Sequence, residues 1–127
     1  MKKDFIAYEG KIYTVEWYFN QKGKSPAQEY YEELPIERQK KLANLFKLLA
    51  NIGKLYNEEK FRHEGDQIYV FKPSPDRFFC FFSEGSRIIV TNAYEKKSTK
   101  MPPGEKEKAL KAKDDYIKRY NKGDYYD

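Results

Sequence analysis

Residues 67–94 read QIYVFKPSPDRFFCFFSEGSRIIVTNAY, and this stretch decides the fold. It holds three runs rich in aromatic and β-branched residues, the side chains that are most common in strands. The Pro-Ser-Pro-Asp and Glu-Gly-Ser segments between the runs have the length of hairpin turns. The stretch therefore predicts an antiparallel meander with strands at 67–72, 77–83 and 87–94, and a short strand at 60–64 is expected before it.

The chain before the meander predicts a strand and two helices. Alternating side chains at 11–19 predict the strand. Ser25 is a typical N-cap and is followed by proline at the first helical position, so a short helix is expected through about residue 34. Apolar residues then recur at helical spacing over 36–52 and stop at Gly53, a typical C-cap. The expected buried stripe of this second helix is Leu42, Leu45, Leu48, Leu49 and Ile52.

After the meander, a polar loop closed by two prolines leads into a final helix, predicted at 105–120. Residues 121–127 are expected to fray as a tail. The element order β-α-α-β-β-β-α predicts one α+β domain over 1–120. It consists of an antiparallel sheet with two N-terminal helices and a C-terminal helix, all expected on one face. The expected buried residues of the final helix are Ala109, Ala112, Tyr116, Ile117 and Tyr120.

The positive charge is concentrated toward the C-terminal end. The 127 residues include 25 Lys and Arg against 20 Asp and Glu, a formal net charge of +5. Residues 87–113 hold eight of the basic and three of the acidic residues, so this segment carries the whole excess. A basic segment attracts polyanions, nucleic acid first, without naming a function. The aromatic fraction of 17% indicates a folded chain in spite of 35% charged residues.

The counts of cysteine and histidine disfavour metal and thiol chemistry. With one cysteine, Cys80, and one histidine, His63, the chain can form neither an internal disulfide nor a four-ligand zinc site from these residues. Cys80 lies among phenylalanines, where a free cysteine is usually a buried apolar side chain. We expect no metal and no cofactor. The sequence shows no signal peptide and no membrane-spanning run, which predicts a cytosolic protein without membrane contact.

Two basic groups are candidates for binding phosphate. Antiparallel pairing across the Pro-Ser-Pro-Asp turn brings Lys72 and Arg77 together at the rim of the sheet; a solvated turn beside Asp76 is the alternative. Lys96 and Lys97 follow the last strand in a loop with hydroxyl groups that prolines restrain, and such loops often carry binding sites. Four lysines of the final helix either extend this positive surface or form the polar face that any helix needs: Lys106, Lys108, Lys111 and Lys113.

Several motifs follow one another in a recognisable order. One strand ends in Lys72, the next begins with Arg77, and an apolar strand follows. Lys-Lys-Ser-Thr-Lys-Met-Pro, residues 96–102, then precedes a helix that contains Ala109 and Tyr116. This order resembles the HigB branch of the RelE/ParE toxin superfamily, which includes many phage-derived members, although the loop is one residue shorter between Thr and Pro. The likeness extends over about residues 11–120.

The resemblance implies the toxin of a type II toxin–antitoxin system, an endoribonuclease that cleaves mRNA on the ribosome and is neutralised by a helix-turn-helix antitoxin. Metal-free cleavage of this kind uses the 2′-OH of RNA as nucleophile. The resemblance implies that Arg77 stabilises the scissile phosphate and that Lys72 holds the backbone. Lys96 and Lys97 bind the phosphate or transfer protons. Further residues expected to contact RNA are Arg62, His63, Tyr94, Thr99 and Lys100; for His63 a plain surface or structural role is the alternative.

Two other functions stay open. The best-studied RelE members carry lysines on the strand that matches residues 68–70, and these residues are apolar here, so the general base is not assigned. The first alternative is therefore a non-catalytic RNA- or ribosome-binding domain of the same fold. The second is a ParE-like inhibitor of DNA gyrase, although the Lys-Lys-x-Thr segment favours the HigB side.

Overall fold

A six-stranded sheet carries helices on both of its faces. The computed structural model describes residues 4–127. The elements are β1 (Ile6–Glu9), β2 (Thr14–Trp17), α1 (Pro26–Glu32), α2 (Ile36–Ile52), β3 (Phe61–His63), β4 (Tyr69–Phe71), β5 (Asp76–Ser83), β6 (Arg87–Glu95) and α3 (Glu105–Lys122). The strand order is β1-β2-β6-β5-β4-β3, and every neighbouring pair is antiparallel except β2 and β6, which are parallel. The α+β prediction is confirmed.

α3 lies on the face of the sheet opposite to α1 and α2, which corrects the prediction that all helices share one face. On β5, Phe78 and Cys80 belong to the core beneath α1 and α2, whereas Phe79 and Phe81 belong to the core beneath α3. Because the central strand is apolar on both sides, both sides must be covered to remove that surface from water. Within residues 4–127 no helix combines the length and the apolar composition needed to cross a membrane.

α1 begins at the predicted N-cap and α2 ends at the predicted C-cap. The Ser25 hydroxyl accepts a hydrogen bond from the backbone N–H of Gln28 at 3.3 Å, which satisfies a free donor in the first turn of α1. α2 ends at Gly53, whose φ of +88° is a left-handed conformation that glycine adopts without a steric penalty. The two helices that were predicted on either side of Pro35 are therefore both present.

The buried stripe of α2 differs from the prediction at two positions. Leu48 and Ile52 are 44% and 63% exposed, and Phe46 and Ala50 are buried instead. The reason is the chain between β1 and β2, which packs on the end of α2. The Ala50 carbonyl accepts hydrogen bonds from the backbone N–H groups of residues 12 and 13 at 2.8 and 3.0 Å, so this segment covers Ala50 and leaves Ile52 in solvent.

Both ends of the described chain pack on the sheet more closely than the sequence indicates. β1 is a strand that the sequence does not predict, and it pairs with β2. The prediction of a frayed tail at 121–127 is wrong for two tyrosines. Tyr125 is 1% exposed, and its hydroxyl accepts a hydrogen bond from the backbone N–H of Phe19 at 2.9 Å. The Tyr126 hydroxyl donates to the buried Glu16 carboxylate at 2.7 Å.

α3 buries three of the five residues predicted for it. Ala109, Ala112 and Tyr116 are buried, whereas Ile117 is 42% exposed and Tyr120 is half-buried. The Tyr125 ring packs edge-on against Tyr116 at 4.4 Å between centroids. The chain after α3 therefore folds back and supplies apolar surface to the core beneath the helix.

Candidate functional site

Four neighbouring strands supply side chains to a cleft of about 180 Å³ on the face of the sheet that α3 covers. Arg62 on β3 lies opposite Val70 on β4, and Arg77 on β5 lies opposite Tyr94 on β6, so strand pairing brings these residues into neighbouring rows. The loop after β6 closes one side. The lining residues are Arg62, Glu64, Val70, Lys72, Arg77, Tyr94, Lys96, Thr99, Lys100 and Met101.

The cleft has a strong excess of positive charge. Five of the described lining residues are cationic, and Glu64 is the single carboxylate among them. Glu64 forms an ion pair with the Arg62 guanidinium at 3.6 Å, so its charge is directed to one edge of the cleft. The remaining cations therefore create a positive potential that an anionic group can neutralise.

Arg77 is the most buried cation of the cleft, with 8% of its surface exposed. Its guanidinium donates to the backbone carbonyl of Asp76 at 3.1 Å. It makes no ion pair with any carboxylate of the described chain, residues 4–127. Buried charges in proteins are normally paired because desolvation is costly. Arg77 is thus a desolvated cation whose remaining donors are free for an anion.

Lys72 lies across the turn from Arg77 and lines the same cleft, as antiparallel pairing predicts. Its ammonium group donates to the backbone carbonyl of Glu58 at 3.1 Å. Burial lowers the pKa of Lys72, and the positive charges of Arg77, Arg62 and Lys96 lower this pKa further. Each of these effects disfavours the charged form of the amine. Lys72 therefore releases its proton more readily than an ordinary lysine does.

Tyr94 adds a neutral donor beside these cations. Burial raises the pKa of the Tyr94 hydroxyl, and the nearby Arg77 charge opposes this increase. The hydroxyl therefore keeps its proton at neutral pH and can donate a hydrogen bond to an anion. The Tyr94 ring rests against Phe79 at 6.0 Å between centroids, which ties it to the core beneath α3.

The loop after β6 contributes some of the predicted residues and leaves out one. The backbone N–H of Lys96 donates to the Pro75 carbonyl at 2.9 Å and so joins the loop to the turn before β5. Thr99 and Lys100 line the cleft. Lys97 is exposed and is not among the lining residues, so the structure does not place it with Arg77.

His63 also lies away from the cleft. It follows Arg62 on β3, and successive strand residues point to opposite faces, so His63 is on the other side of the sheet. There its ring packs against Tyr69 at 4.7 Å between centroids. The prediction placed Arg62 and His63 together, and the structure brings only Arg62 to the cationic residues.

Most lysines of α3 have partners outside the cleft. Lys106 forms an ion pair with Asp66 at 3.0 Å, Lys113 donates to Gln67 at 2.8 Å, and Lys108 pairs with Glu105 at 3.2 Å. None of the α3 lysines lines the cleft. Three of the basic side chains in residues 87–113 therefore either connect α3 to the β3–β4 turn or pair with an acidic residue of α3 itself.

A larger groove of about 510 Å³ lies on the other flank of α3, between this helix and the chain that leads from β2 into α1. Lys22, Lys108 and Lys111 stand at its edge, and Asn92 is at its base. The Asn92 amide is already bonded, since it donates to the Glu105 carbonyl at 3.1 Å and accepts from the Thr91 hydroxyl at 2.6 Å. The five cations of the smaller cleft, among them the buried Arg77, make it the candidate site.

Two features of the site were not predicted from the sequence. Glu64 was not singled out, although a carboxylate two residues after Arg62 on the same strand face could have indicated it. The alternative of a solvated turn at Asp76 is wrong, because Asp76 is 0% exposed. Its partners are far away in the sequence, so no local pattern indicates its burial.

Fold and cleft together define a small α+β protein with a cationic cleft across its central strands. Residues 29–114 match the family model described as phage derived protein Gp49-like (DUF891). The chain belongs to this family, which is a HigB-like family of the RelE/ParE type. The matched region contains every residue that lines the cleft. A comparison with curated proteins finds no match.

Proposed function

We propose that this protein is the toxin of a type II toxin–antitoxin system and cleaves mRNA on the ribosome. The observation that carries the proposal is the buried Arg77 guanidinium, which has no carboxylate partner in residues 4–127 and lies beside Lys72 and Lys96. Family membership supports the same assignment. The proposed partners are the ribosome, mRNA and a helix-turn-helix antitoxin.

The size and charge of the cleft favour one phosphate group of a longer chain as ligand. About 180 Å³ is less than the roughly 300–1,000 Å³ of typical small-molecule pockets. Arginine and lysine are the side chains that bind phosphate oxygens in nucleic-acid complexes. A single-stranded RNA backbone can place one phosphate among Lys72, Arg77 and Lys96 while its neighbours stay outside the cleft.

The chemistry that suits these residues needs no metal. The 2′-oxygen of RNA forms a bond to the adjacent phosphorus, and the bond from phosphorus to the 5′-oxygen breaks, which leaves a 2′,3′-cyclic phosphate and a 5′-hydroxyl. A base must take the proton of the 2′-OH, an acid must protonate the leaving 5′-oxygen, and donors must stabilise the charge on the non-bridging oxygens.

Three residues of the cleft match these requirements. Lys72 takes the proton of the 2′-OH, because its lowered pKa provides more neutral amine than an ordinary lysine has. Arg77 stabilises the non-bridging oxygens, and protonated Lys96 supplies the proton to the 5′-oxygen. This assignment gives the base role to Lys72, to which the sequence analysis attributed only a contact with the backbone.

A non-catalytic RNA-binding domain is the second candidate, and one observation favours it. The described lining residues include no histidine, and their one carboxylate is paired with Arg62. If Lys72 stays protonated on the ribosome, the cleft binds RNA and leaves it intact. Binding without cleavage would then inhibit translation only at high protein concentration.

Controlled expression followed by mapping of mRNA 5′ ends tests the proposal. We expect growth arrest and new 5′-hydroxyl ends within translated mRNA, and we expect these ends to disappear when translation is blocked. Arg77→Gln is expected to abolish both effects while the protein stays folded. Lys47→Gln, which removes an exposed lysine of α2, is the charge-matched control and should stay toxic.

The outcomes separate the candidate functions. Arrest without new 5′ ends would favour the binding domain, and loss of DNA supercoiling would favour a gyrase inhibitor. Full toxicity of Arg77→Gln would remove this cleft from the function. Co-expression of the protein encoded by an adjacent helix-turn-helix gene is expected to restore growth, and failure to do so would exclude that gene as the antitoxin.

A further inference from the structure

A buried carboxylate immediately before Arg77 joins two helices to the strands of the cleft. Asp76, the first residue of β5, is 0% exposed. The Arg38 guanidinium of α2 binds it with two donors, Nε at 2.9 Å and Nη2 at 2.5 Å. The Tyr30 hydroxyl of α1 donates to the same carboxylate at 2.6 Å. Tyr30, Arg38 and Asp76, together with Glu95, form what we term the Asp76 cluster.

The Asp76 cluster also reaches the strand that carries Lys96. Asp76 lies opposite Glu95 in the β5–β6 pairing, and Arg38 forms a second, longer ion pair with Glu95 at 3.4 Å. The two residues that follow Asp76 and Glu95 in the chain are Arg77 and Lys96. One guanidinium therefore binds the first residue of β5 and the last residue of β6, and each of these residues is followed in the chain by a cation of the cleft.

Backbone contacts transmit this restraint to the cleft. The Arg77 guanidinium donates to the Asp76 carbonyl at 3.1 Å, and the backbone N–H of Lys96 donates to the Pro75 carbonyl at 2.9 Å. A shift of Asp76 therefore moves the carbonyl that binds Arg77 and the adjoining Pro75 carbonyl that binds the backbone of Lys96. Asp76 and Arg77 point to opposite faces of the sheet, so the Asp76 cluster makes no contact with a ligand in the cleft.

Stability alone does not account for such a cluster. Replacing a buried ion pair with well-packed apolar side chains is often neutral or stabilising, because desolvation offsets most of the attraction. Directional bonds from a guanidinium and a hydroxyl do, however, fix the position of a strand end more narrowly than apolar packing does. Electrostatic stabilisation of a reacting phosphate depends on donors that are held in place beforehand.

We propose that Arg38 and Tyr30 are positioning residues, which act through Asp76 to hold the Arg77 guanidinium and the Lys96 amine in the geometry that the phosphate site needs. The part of this inference that concerns cleavage rests on the proposed function. The part that concerns the relative position of the cations is independent of it. Both parts can be measured.

The chain contains a matched control for this cluster. On the opposite face of the sheet, Arg119 of α3 binds the Asp115 carboxylate with two donors at 3.0 and 2.6 Å, and the Tyr18 hydroxyl donates to it at 2.5 Å. The chemistry is the same, but neither Asp115 nor its partners line the cationic cleft. Arg119→Lys and Tyr18→Phe therefore remove bonds of the same kind away from the proposed site, and Arg119→Lys also removes a bond to the Phe19 carbonyl.

The test compares Arg38→Lys and Tyr30→Phe with Arg119→Lys and Tyr18→Phe in the full chain. Arg38→Lys keeps the charge and loses the two-donor geometry, and Tyr30→Phe changes no charge at all. One readout is the NMR titration of the Lys72 ε-methylene signal, since Arg77 and Lys96 both lower the pKa of Lys72. The other readouts are the rate of RNA cleavage and the thermal midpoint of unfolding.

We expect the Lys72 titration of Arg38→Lys and Tyr30→Phe to move toward that of an ordinary lysine, and cleavage to fall about tenfold to a hundredfold. The two control variants should lower the thermal midpoint by a similar amount without either effect. If Arg38→Lys does not fold, Tyr30→Phe provides the comparison.

The inference is overturned if Arg38→Lys and Tyr30→Phe change only the thermal midpoint, or if the control variants move the Lys72 titration equally. If the wild-type protein neither cleaves nor binds RNA, the proposed function fails. The Lys72 titration still decides in that case whether the Asp76 cluster positions Arg77 and Lys96.

Discussion

Arg77 and Tyr94 lie opposite each other on β5 and β6, and both side chains line the cationic cleft. The pair combines a guanidinium, which carries only hydrogen-bond donors, with a hydroxyl whose pKa is raised by burial. Both groups therefore present hydrogen-bond donors at neutral pH. A phosphate bound in the cleft therefore has a donor from each of the two central strands.

Salt dependence should identify which lysines of the loop after β6 contact RNA. For single-stranded RNA, each phosphate contact adds about 0.7 to the slope of log affinity against log salt concentration. Lys96 lines the cleft and Lys97 does not. We expect Lys96→Gln to reduce the slope by about 0.7 and Lys97→Gln to leave it nearly unchanged, as measured by fluorescence anisotropy with a short oligonucleotide. Equal reductions by both variants would place the RNA outside the cleft.

The parts of the fold that follow from local sequence were predicted correctly. Strand alternation and the hairpin-length turns predict the meander, and Ser25 and Gly53 predict the ends of the helices. The terminal segments were not predicted because their order comes from distant contacts. Tyr125 is bonded to Phe19, 106 positions away, in a tail that is otherwise polar. Local composition carries no signal for such a contact.

In the candidate site, too, the features that follow from local sequence were predicted and those that depend on distant contacts were not. Lys72 and Arg77 flank a hairpin turn, so pairing geometry alone predicts their proximity. Arg62 could be placed on a strand but not on a face, because the three residues of β3 are too few for a clear alternation. The burial of Asp76 depends on Tyr30 and Arg38, which are 46 and 38 positions away. Such a cluster becomes visible only when the helices are packed on the sheet.

The docked C-terminal tail should contribute substantially to stability. Tyr125 is fully buried among aromatic rings, so Tyr125→Ala removes a large apolar side chain and leaves a cavity. We expect a loss of about 3–5 kcal/mol in the free energy of unfolding, measured by urea denaturation. Tyr56, which is 82% exposed, provides the control, and Tyr56→Ala should change this free energy by less than about 0.5 kcal/mol. Similar effects of the two variants would mean that the tail is not docked in solution.

The close approach of Gly10 to α2 should make this position intolerant of any side chain. A Cβ atom at Gly10 would lie 2.6 Å from the carbonyl carbon and oxygen of Ala50, which are backbone atoms that cannot rotate away. We expect Gly10→Ala to reduce the free energy of unfolding by about 1–3 kcal/mol, because the β1–β2 connection must move off the helix. A Cβ atom at Gly104 would meet no other atom within 4 Å, so Gly104→Ala tests the cost of its left-handed φ of +88° alone. If the Gly10→Ala variant is as stable as the wild-type protein, the β1–β2 connection does not pack on α2.

The lowered pKa of Lys72 predicts how cleavage depends on pH. If neutral Lys72 takes the proton of the 2′-OH, the cleavage rate rises with pH through the pKa of this residue, which is below that of an ordinary lysine. Glu64 opposes the lowering, whereas Arg62, Arg77 and Lys96 promote it. Arg77→Gln removes one of the charges that disfavour the ammonium form, so the NMR titration of Lys72 in this variant should move to higher pH. Lys72→Arg keeps the positive charge but cannot release a proton, and it should reduce cleavage by about 10²- to 10⁴-fold while RNA affinity changes little. Full cleavage by Lys72→Arg, measured in single-turnover reactions on programmed ribosomes, would transfer the base role to another group of the cleft.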